Sequence, residues 1–142
     1  MSEKVLLVDD EQDFLEIMAE RMRARDMEVH TCTSADEALR KIKDENFDAI
    51  ILDFMMPGMD GMQALKEMKA KSPESQIILL TGHATIEKSV EAMKLGATDF
   101  LEKPADLREL EKKIKDASTK RIMIVEKQAE ARIKDVLRRF GG

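Results

Sequence analysis

No stretch of this chain approaches the length of a membrane span. Its opening residues, Met1-Ser2-Glu3-Lys4, lead straight into a short apolar run, Val5-Leu6-Leu7-Val8. That run is too short for a signal-peptide core, so nothing points to export. Cys32 is the only cysteine, which rules out an internal disulfide and fits a reducing cytoplasm. It falls where a strand should end and reads as a small, half-buried apolar residue rather than a reactive thiol. His30 and His83 are the only histidines, so there is no His/Cys cluster with zinc spacing. Positive charge is scarce in the body of the chain. Residues 1–104 hold 13 basic against 22 acidic residues, a net −9, and residues 105–142 hold 11 against 7, a net +4. An acidic body argues against unaided nucleic-acid binding. The tail mixes both signs and reads as a solvated helix face, not a DNA-binding stripe.

What is present is a regular alternation. The length of 142 residues suggests one domain, and 43% hydrophobic residues are enough for a core. Val5 to Val8 ends at Asp9-Asp10-Glu11, and a helix follows with Phe14, Ile17, Met18 and Met22 on one face. Glu28 to Thr33 reads as strand two, with His30 half-exposed on it. Ser34-Ala35-Asp36-Glu37 is a capping-box pattern opening a helix that turns Ala38, Leu39 and Ile42 inward. Asp48 to Asp53 is strand three. Asp60 can cap the next helix, which carries Met62, Leu65 and Met68. Gln76 to Thr81 is strand four, and the fourth helix faces Ile86, Val90 and Met93 inward, with Gly96 suited to its C-terminal end. Thr98 to Glu102 is strand five. Three strands are continuous apolar runs, the mark of parallel strands buried on both faces. Five βα units with short, right-handed connections predict a doubly wound α/β sheet. The loop methionines Met55, Met56, Met59 and Met62 read as packing filler.

The chemistry collects at the strand ends. Strand one ends in Asp9 and Asp10, strand three in Asp53, strand four in Thr81 and strand five in Lys103. A parallel sheet puts all such ends on one edge. Where these strands are neighbours, three carboxylates, a hydroxyl and an ammonium share one cleft. Carboxylates that close raise one another's pKa, and a hard cation with oxygen ligands relieves them; the set suits Mg2+ better than zinc. Phosphoryl transfer needs mainly positioning and charge neutralisation. With Mg2+ on Asp10 and Asp53, Lys103 binding a second phosphoryl oxygen and Thr81 donating to a third, Asp53 would be the in-line nucleophile. His83, two residues past Thr81, borders the cleft as a bystander or access-tuning residue. Taken singly, each of these residues reads equally well as a cap, a turn or a solvated side chain. Five such coincidences at successive strand ends do not.

At these residues the sequence resembles the receiver domain of bacterial two-component response regulators, over about residues 3–118. The motifs are Val8-Asp9-Asp10-Glu11, Asp53 followed by Met56-Pro57-Gly58-Met59-Asp60-Gly61, Leu80-Thr81-Gly82, and Phe100-Leu101-Glu102-Lys103-Pro104. The resemblance implies a flavodoxin-like five-stranded sheet of order 2-1-3-4-5. It implies Mg2+ held by Asp10, Asp53 and the Met55 carbonyl, with Asp9 acting through water. It implies that Asp53 accepts a phosphoryl group from a phosphohistidine on a sensor histidine kinase or a phosphotransfer protein. It also implies that Thr81 moves toward the phosphoryl group, that Phe100 turns inward, and that the face of helix four, strand five and helix five changes shape. Phe100 stands where a Tyr is frequent in the family. Lys103-Pro104 permits the cis bond the family often has. The positions that tune dephosphorylation fall on Met55 and His83, and Met55 has no side-chain group to orient water, which predicts no fast self-hydrolysis.

Beyond Ser118 the pattern continues through Ile122, Val125, Ala129, Ile133, Val136 and Phe140, ahead of Gly141-Gly142. The simplest reading divides the chain into a receiver at 1–118 and a helical extension at 119–142 that prolongs helix five. Its distal stripe calls for a partner, and a coiled-coil-like homodimer is the first choice, although Ala129 and Arg132 make a weak seam. A separate helix folding back after Ser118-Thr119 is the alternative. The tail is too short for a winged-helix or ATPase output domain, so the expectation is a stand-alone receiver or one separated from its outputs. The leading function is a phosphorylation-controlled switch rather than an enzyme. A Mg2+-dependent phosphohydrolase or phosphotransferase acting on a small molecule is the alternative, and it lacks an evident lid. A flavin-binding module is discounted, because Asp-Asp-Glu stands where a phosphate loop would follow strand one.

Overall fold

The computed structural model of the protein describes residues 2–56, 58, 60–82 and 86–141. Expectations placed on Pro57, Met59, His83 and Gly142, and on the side chain of Ile86, lie outside the described residues.

Three continuous apolar runs and two mixed ones become strands, and each leads into a helix. The order is β1 (Lys4–Val8), α1 (Gln12–Arg23), β2 (Glu28–Cys32), α2 (Ala35–Asp44), β3 (Ala49–Asp53), α3 (Gly61–Lys71), β4 (Ile77–Thr81), α4 (Ile86–Lys94), β5 (Asp99–Glu102) and α5 (Leu107–Phe140). The sheet order is β2-β1-β3-β4-β5, with every pair parallel. β3 and β4 are buried along their whole length, and β1 beyond Lys4, as continuous apolar runs between two helical layers must be.

Side-chain alternation divides the core. Leu6, Val8, Ile50, Leu52, Ile77 and Leu79 pack with residues of α2, α3 and α4. Val5, Leu7, Ile51, Ile78, Leu80 and Leu101 pack with residues of α1 and α5. The predicted caps form: Ser34 Oγ accepts from the Glu37 N–H at 3.2 Å, and Asp60 Oδ1 accepts from the Met62 N–H at 3.1 Å. The Glu37 carboxylate reaches the N–H of Thr33, one residue before the cap, so the box closes one position early. Cys32 is fully rather than half-buried, and burial, with Glu37 nearby, pushes its thiol up to about 12. It is an inert core residue.

Two helix faces differ from the sequence reading. In α1 the buried set is Leu15, Met18, Ala19 and Met22, while Ile17 is exposed and Phe14 half-buried. The helix is rotated so that small Ala19 meets the sheet and Phe14 is left at the strand ends. Among the described side chains of α4 the buried ones are Ser89 and Ala92, and Val90 and Met93 are 48% and 44% exposed. With these small residues inward, Val90 and Met93 turn outward beside Phe100.

α5 is one continuous helix of 34 residues, so no fold-back occurs after Ser118. Leu110, Ile114 and Ala117 anchor it to the core. Ser118 Oγ then donates to Asp48 at 3.3 Å, and Arg121 lies 4.0 Å from the same carboxylate. Asp48 precedes β3, so α5 passes the N-terminal edge of the sheet and continues beyond it. There Ile122, Met123, Ile133, Val136, Leu137 and Phe140 are exposed.

Gly61 opens α3 against the turn that follows β3. A Cβ there would lie 2.6 Å from the Phe54 carbonyl oxygen and 2.7 Å from its ring. Backbone cannot retreat as a flexible side chain can, so Gly61→Ala is expected to destabilise the fold by about 1–3 kcal/mol in urea titrations. An unchanged midpoint would mean that this turn is looser than its contacts indicate.

Candidate functional site

Register brings the strand-end residues together. Val8 pairs with Leu52, so Asp9, one residue on, is level with Asp53. Asp53 pairs with Leu80, which puts Thr81 one step beyond it, and Thr81 pairs with Glu102, which puts Lys103 one step further. β1 stops where its apolar run meets Asp9, while β3, β4 and β5 end on the polar residues Asp53, Thr81 and Glu102 themselves.

Asp9, Asp10 and Asp53 converge, each offering a carboxylate oxygen within 4.8 Å of the others. Asp9 and Asp53 are buried and Asp10 is exposed. Each buried carboxylate is tied to a backbone donor two residues on. Asp9 Oδ1 accepts from the Glu11 N–H at 2.9 Å, and Asp53 Oδ1 accepts from the Met55 N–H at 3.1 Å. These local turns fix the acids and leave their second oxygens facing inward. Asp9 Oδ2 is 2.6 Å from Lys103 Nζ, and Asp53 Oδ2 is 3.6 Å from it. Glu11 Oε1 lies 3.5 Å from the same ammonium.

The electrostatics follow from this crowding. Burial pushes the Asp53 carboxyl above the ordinary carboxylate range; the Met55 N–H opposes it, Asp9 and Asp10 add to it, and Lys103 offsets part. Burial pulls Lys103 down, but the hydrogen bond to Asp9 and the charges of Asp53, Asp9 and Glu11 hold it above its ordinary value. A single ammonium therefore faces three carboxylates and leaves the site with an excess of negative charge. An oxygen-only donor set with a charge surplus suits a small hard divalent cation.

The other predicted residues fall around this centre. Thr81 is buried at the end of β4, and its carbonyl accepts from the Lys103 N–H at 2.9 Å, binding β5 to the cleft. Met55 is exposed at the mouth of the site. Phe100 points outward next to Val90 and Met93 of α4, one strand away from the carboxylates. The Lys103-Pro104 bond is cis. Sequence reasoning missed two neighbours. Glu11 approaches Lys103, and Phe14 lays its ring under the same ammonium, 4.3 Å from centroid to Nζ. Phe14 was assigned to the core by helical period alone. The signal that it lies near Lys103 is its place in the first turn of α1, immediately after the Asp9-Asp10 strand end.

Among the described residues, no helix is long and apolar enough to cross a membrane. Regulatory protein AtoC of Escherichia coli is 36% identical over 107 residues, covering 75% of this chain and 23% of that protein. The chain thus spans about a quarter of the length of the curated relatives it matches. Among solved structures, a response regulator receiver domain protein from Clostridium thermocellum is 34% identical with a TM-score of 0.79, covering 86% of this chain and 98% of that one. The solution structure of the beryllofluoride-activated NtrC4 receiver domain dimer is 35% identical with a TM-score of 0.78, covering 83% and 98%. The family model of the response regulator receiver domain matches residues 5–115, a span that runs from the second residue of β1 into α5 and carries every carboxylate of the cleft, and the chain belongs to that family.

Proposed function

We propose that this chain is the phosphorylation-dependent switch of a two-component system, with Asp53 as the phosphoacceptor. The observation that carries the reading is the position of Lys103 Nζ, 2.6 Å from Asp9 and 3.6 Å from Asp53, within the group of three carboxylates. The Asp53 oxygen on the Lys103 side attacks the phosphorus of a phosphohistidine on a sensor kinase or phosphotransfer protein. The P–N bond breaks, the imidazole leaves with that electron pair, and an acyl phosphate remains. No general base is needed, because an ionised carboxylate is already the nucleophile. Lys103 meets one phosphoryl oxygen, and the Thr81 hydroxyl donates to another.

Asp10, Asp53 and the Met55 carbonyl would hold Mg2+, with Asp9 acting through water, and the ion would supply positive charge to offset the carboxylates and the phosphoryl oxygens. Residues 1–118 form the receiver and residues 119–142 the extension. Movement of Thr81 and Phe100 then biases the face of α4, β5 and α5. The exposed stripe of the extension pairs with a second copy of this chain.

A phosphodonor and Mg2+ are expected to leave a persistent label on the protein, seen by intact-mass spectrometry and absent from Asp53→Asn. Continuous release of phosphate with no retained label would point instead to a small-molecule phosphohydrolase.

The raised Asp53 pKa has a definite sign. The folded state holds that proton more tightly than the unfolded chain does. Its contribution is therefore favourable below the unfolded carboxylate pKa and is lost as pH rises through the folded value. At neutral pH without metal, ionised Asp53 costs stability. Asp53→Asn is expected to stabilise the metal-free protein by about 0.5–2 kcal/mol. Mg2+ should raise the melting temperature of the wild type and leave the variant nearly unmoved. A wild type indifferent to Mg2+ would remove the metal from this account.

Beryllofluoride mimics the acyl phosphate. Light scattering is expected to show a change in solution mass on its addition. No change in mass or in tail conformation would separate the tail from the switch.

A further inference from the structure

We propose that Phe14 is a positioning residue for phosphoryl transfer: its ring face holds the Lys103 ammonium over the cleft while Asp53 receives the phosphoryl group. This rests on Asp53 being the acceptor. Lys103 Nζ stands 4.3 Å from the centroid of the Phe14 ring. Its other neighbours are Asp9 at 2.6 Å, Glu11 at 3.5 Å and Asp53 at 3.6 Å. Of these, the Asp9 contact alone has the length of a strong charge-assisted hydrogen bond. It is also a contact that transfer must loosen, because an arriving phosphoryl oxygen needs an N–H from the same ammonium.

A lysine released from its one strong partner has four side-chain torsions with which to leave. The aromatic face opposes this in a way a carboxylate cannot. Its attraction is to the charge as a whole and does not depend on where each N–H points. The ammonium can exchange Asp9 for a phosphoryl oxygen without losing it. The ring is itself held, packed against the core between α1 and α5, and it sits in the first turn of a helix fixed on β1. Lys103 is 16% exposed, so the pair is largely out of water, where a cation and a ring attract more strongly. An aliphatic residue would cover the same ground without attracting the charge.

The test uses the full chain, acetyl phosphate and Mg2+, so that no kinase has to dock. Phe14→Leu is expected to slow labelling of Asp53 by roughly three- to tenfold, and Phe14→Tyr, which keeps the ring face, to restore the wild-type rate within about twofold. Replacing Phe14 alone by pentafluorophenylalanine keeps volume and packing but removes the negative ring face, and it is expected to match Phe14→Leu. In the wild type and in Phe14→Tyr, the ε-methylene protons of Lys103 should show upfield ring-current shifts. Should Phe14→Leu fold poorly, the fluorinated protein decides the matter. Wild-type labelling rates in the fluorinated protein would overturn the positioning role and leave the acceptor assignment intact. A wild type that takes no label at Asp53 would remove both.

Discussion

The sheet edge carries an electrostatic load that the rest of the structure is arranged to hold. Three carboxylates converge there, two of them buried, against one lysine. Like charges at such separations repel strongly once water is excluded. They are held by backbone N–H groups two residues on from Asp9 and Asp53, and by an ammonium brought in on the far strand. The ammonium tether depends on register. A one-residue slip of β5 would turn Lys103 to the opposite face, leaving Asp9 buried without its strong partner. The continuous apolar runs of β1, β3 and β4 therefore secure the geometry of a site to which they contribute few atoms.

Packing is uneven around this edge. α1 places four buried residues against the sheet, including Leu15, Met18 and Met22. Among the described side chains of α4, only Ser89 and Ala92 are buried, and Val90 and Met93 are exposed beside Phe100. At this edge the Lys103 N–H to Thr81 carbonyl bond ties the end of β5 to the end of β4.

Much of this was legible in the sequence, for reasons that can be named. A parallel strand buried on both faces must be an unbroken apolar run, so β1, β3 and β4 could be read directly, and with them the acids that close β1 and β3 and the threonine that closes β4. The caps at Ser34 and Asp60 were legible because a short polar side chain before an apolar period has few other uses. Helix faces were less so. Period alone cannot say which side of the α1 stripe meets the sheet, and Ala19 displaced Ile17 because a small residue permits closer approach. In α4 Val90 and Met93 face solvent while the smaller Ser89 and Ala92 are buried, the reverse of the general rule that burial follows size. Phe14 was legible as apolar but not as the neighbour of a cation, because residue 103 is nearly ninety positions away and only the sheet order joins them.

The run of α5 past Asp48 makes the molecule a lever. The helix begins beside the carboxylate edge and leaves over the opposite one, touching Asp48 through Ser118 and Arg121 at the crossing. From that crossing to Phe140 the helix rises about 33 Å at the standard 1.5 Å per residue. A tilt of about 10° about the Asp48 contact would carry Phe140 sideways by roughly 6 Å at that rise. Displacements too small to disturb the core near Leu110 and Ile114 are thereby enlarged at the far end, along an arm stiffened by its own backbone hydrogen bonds.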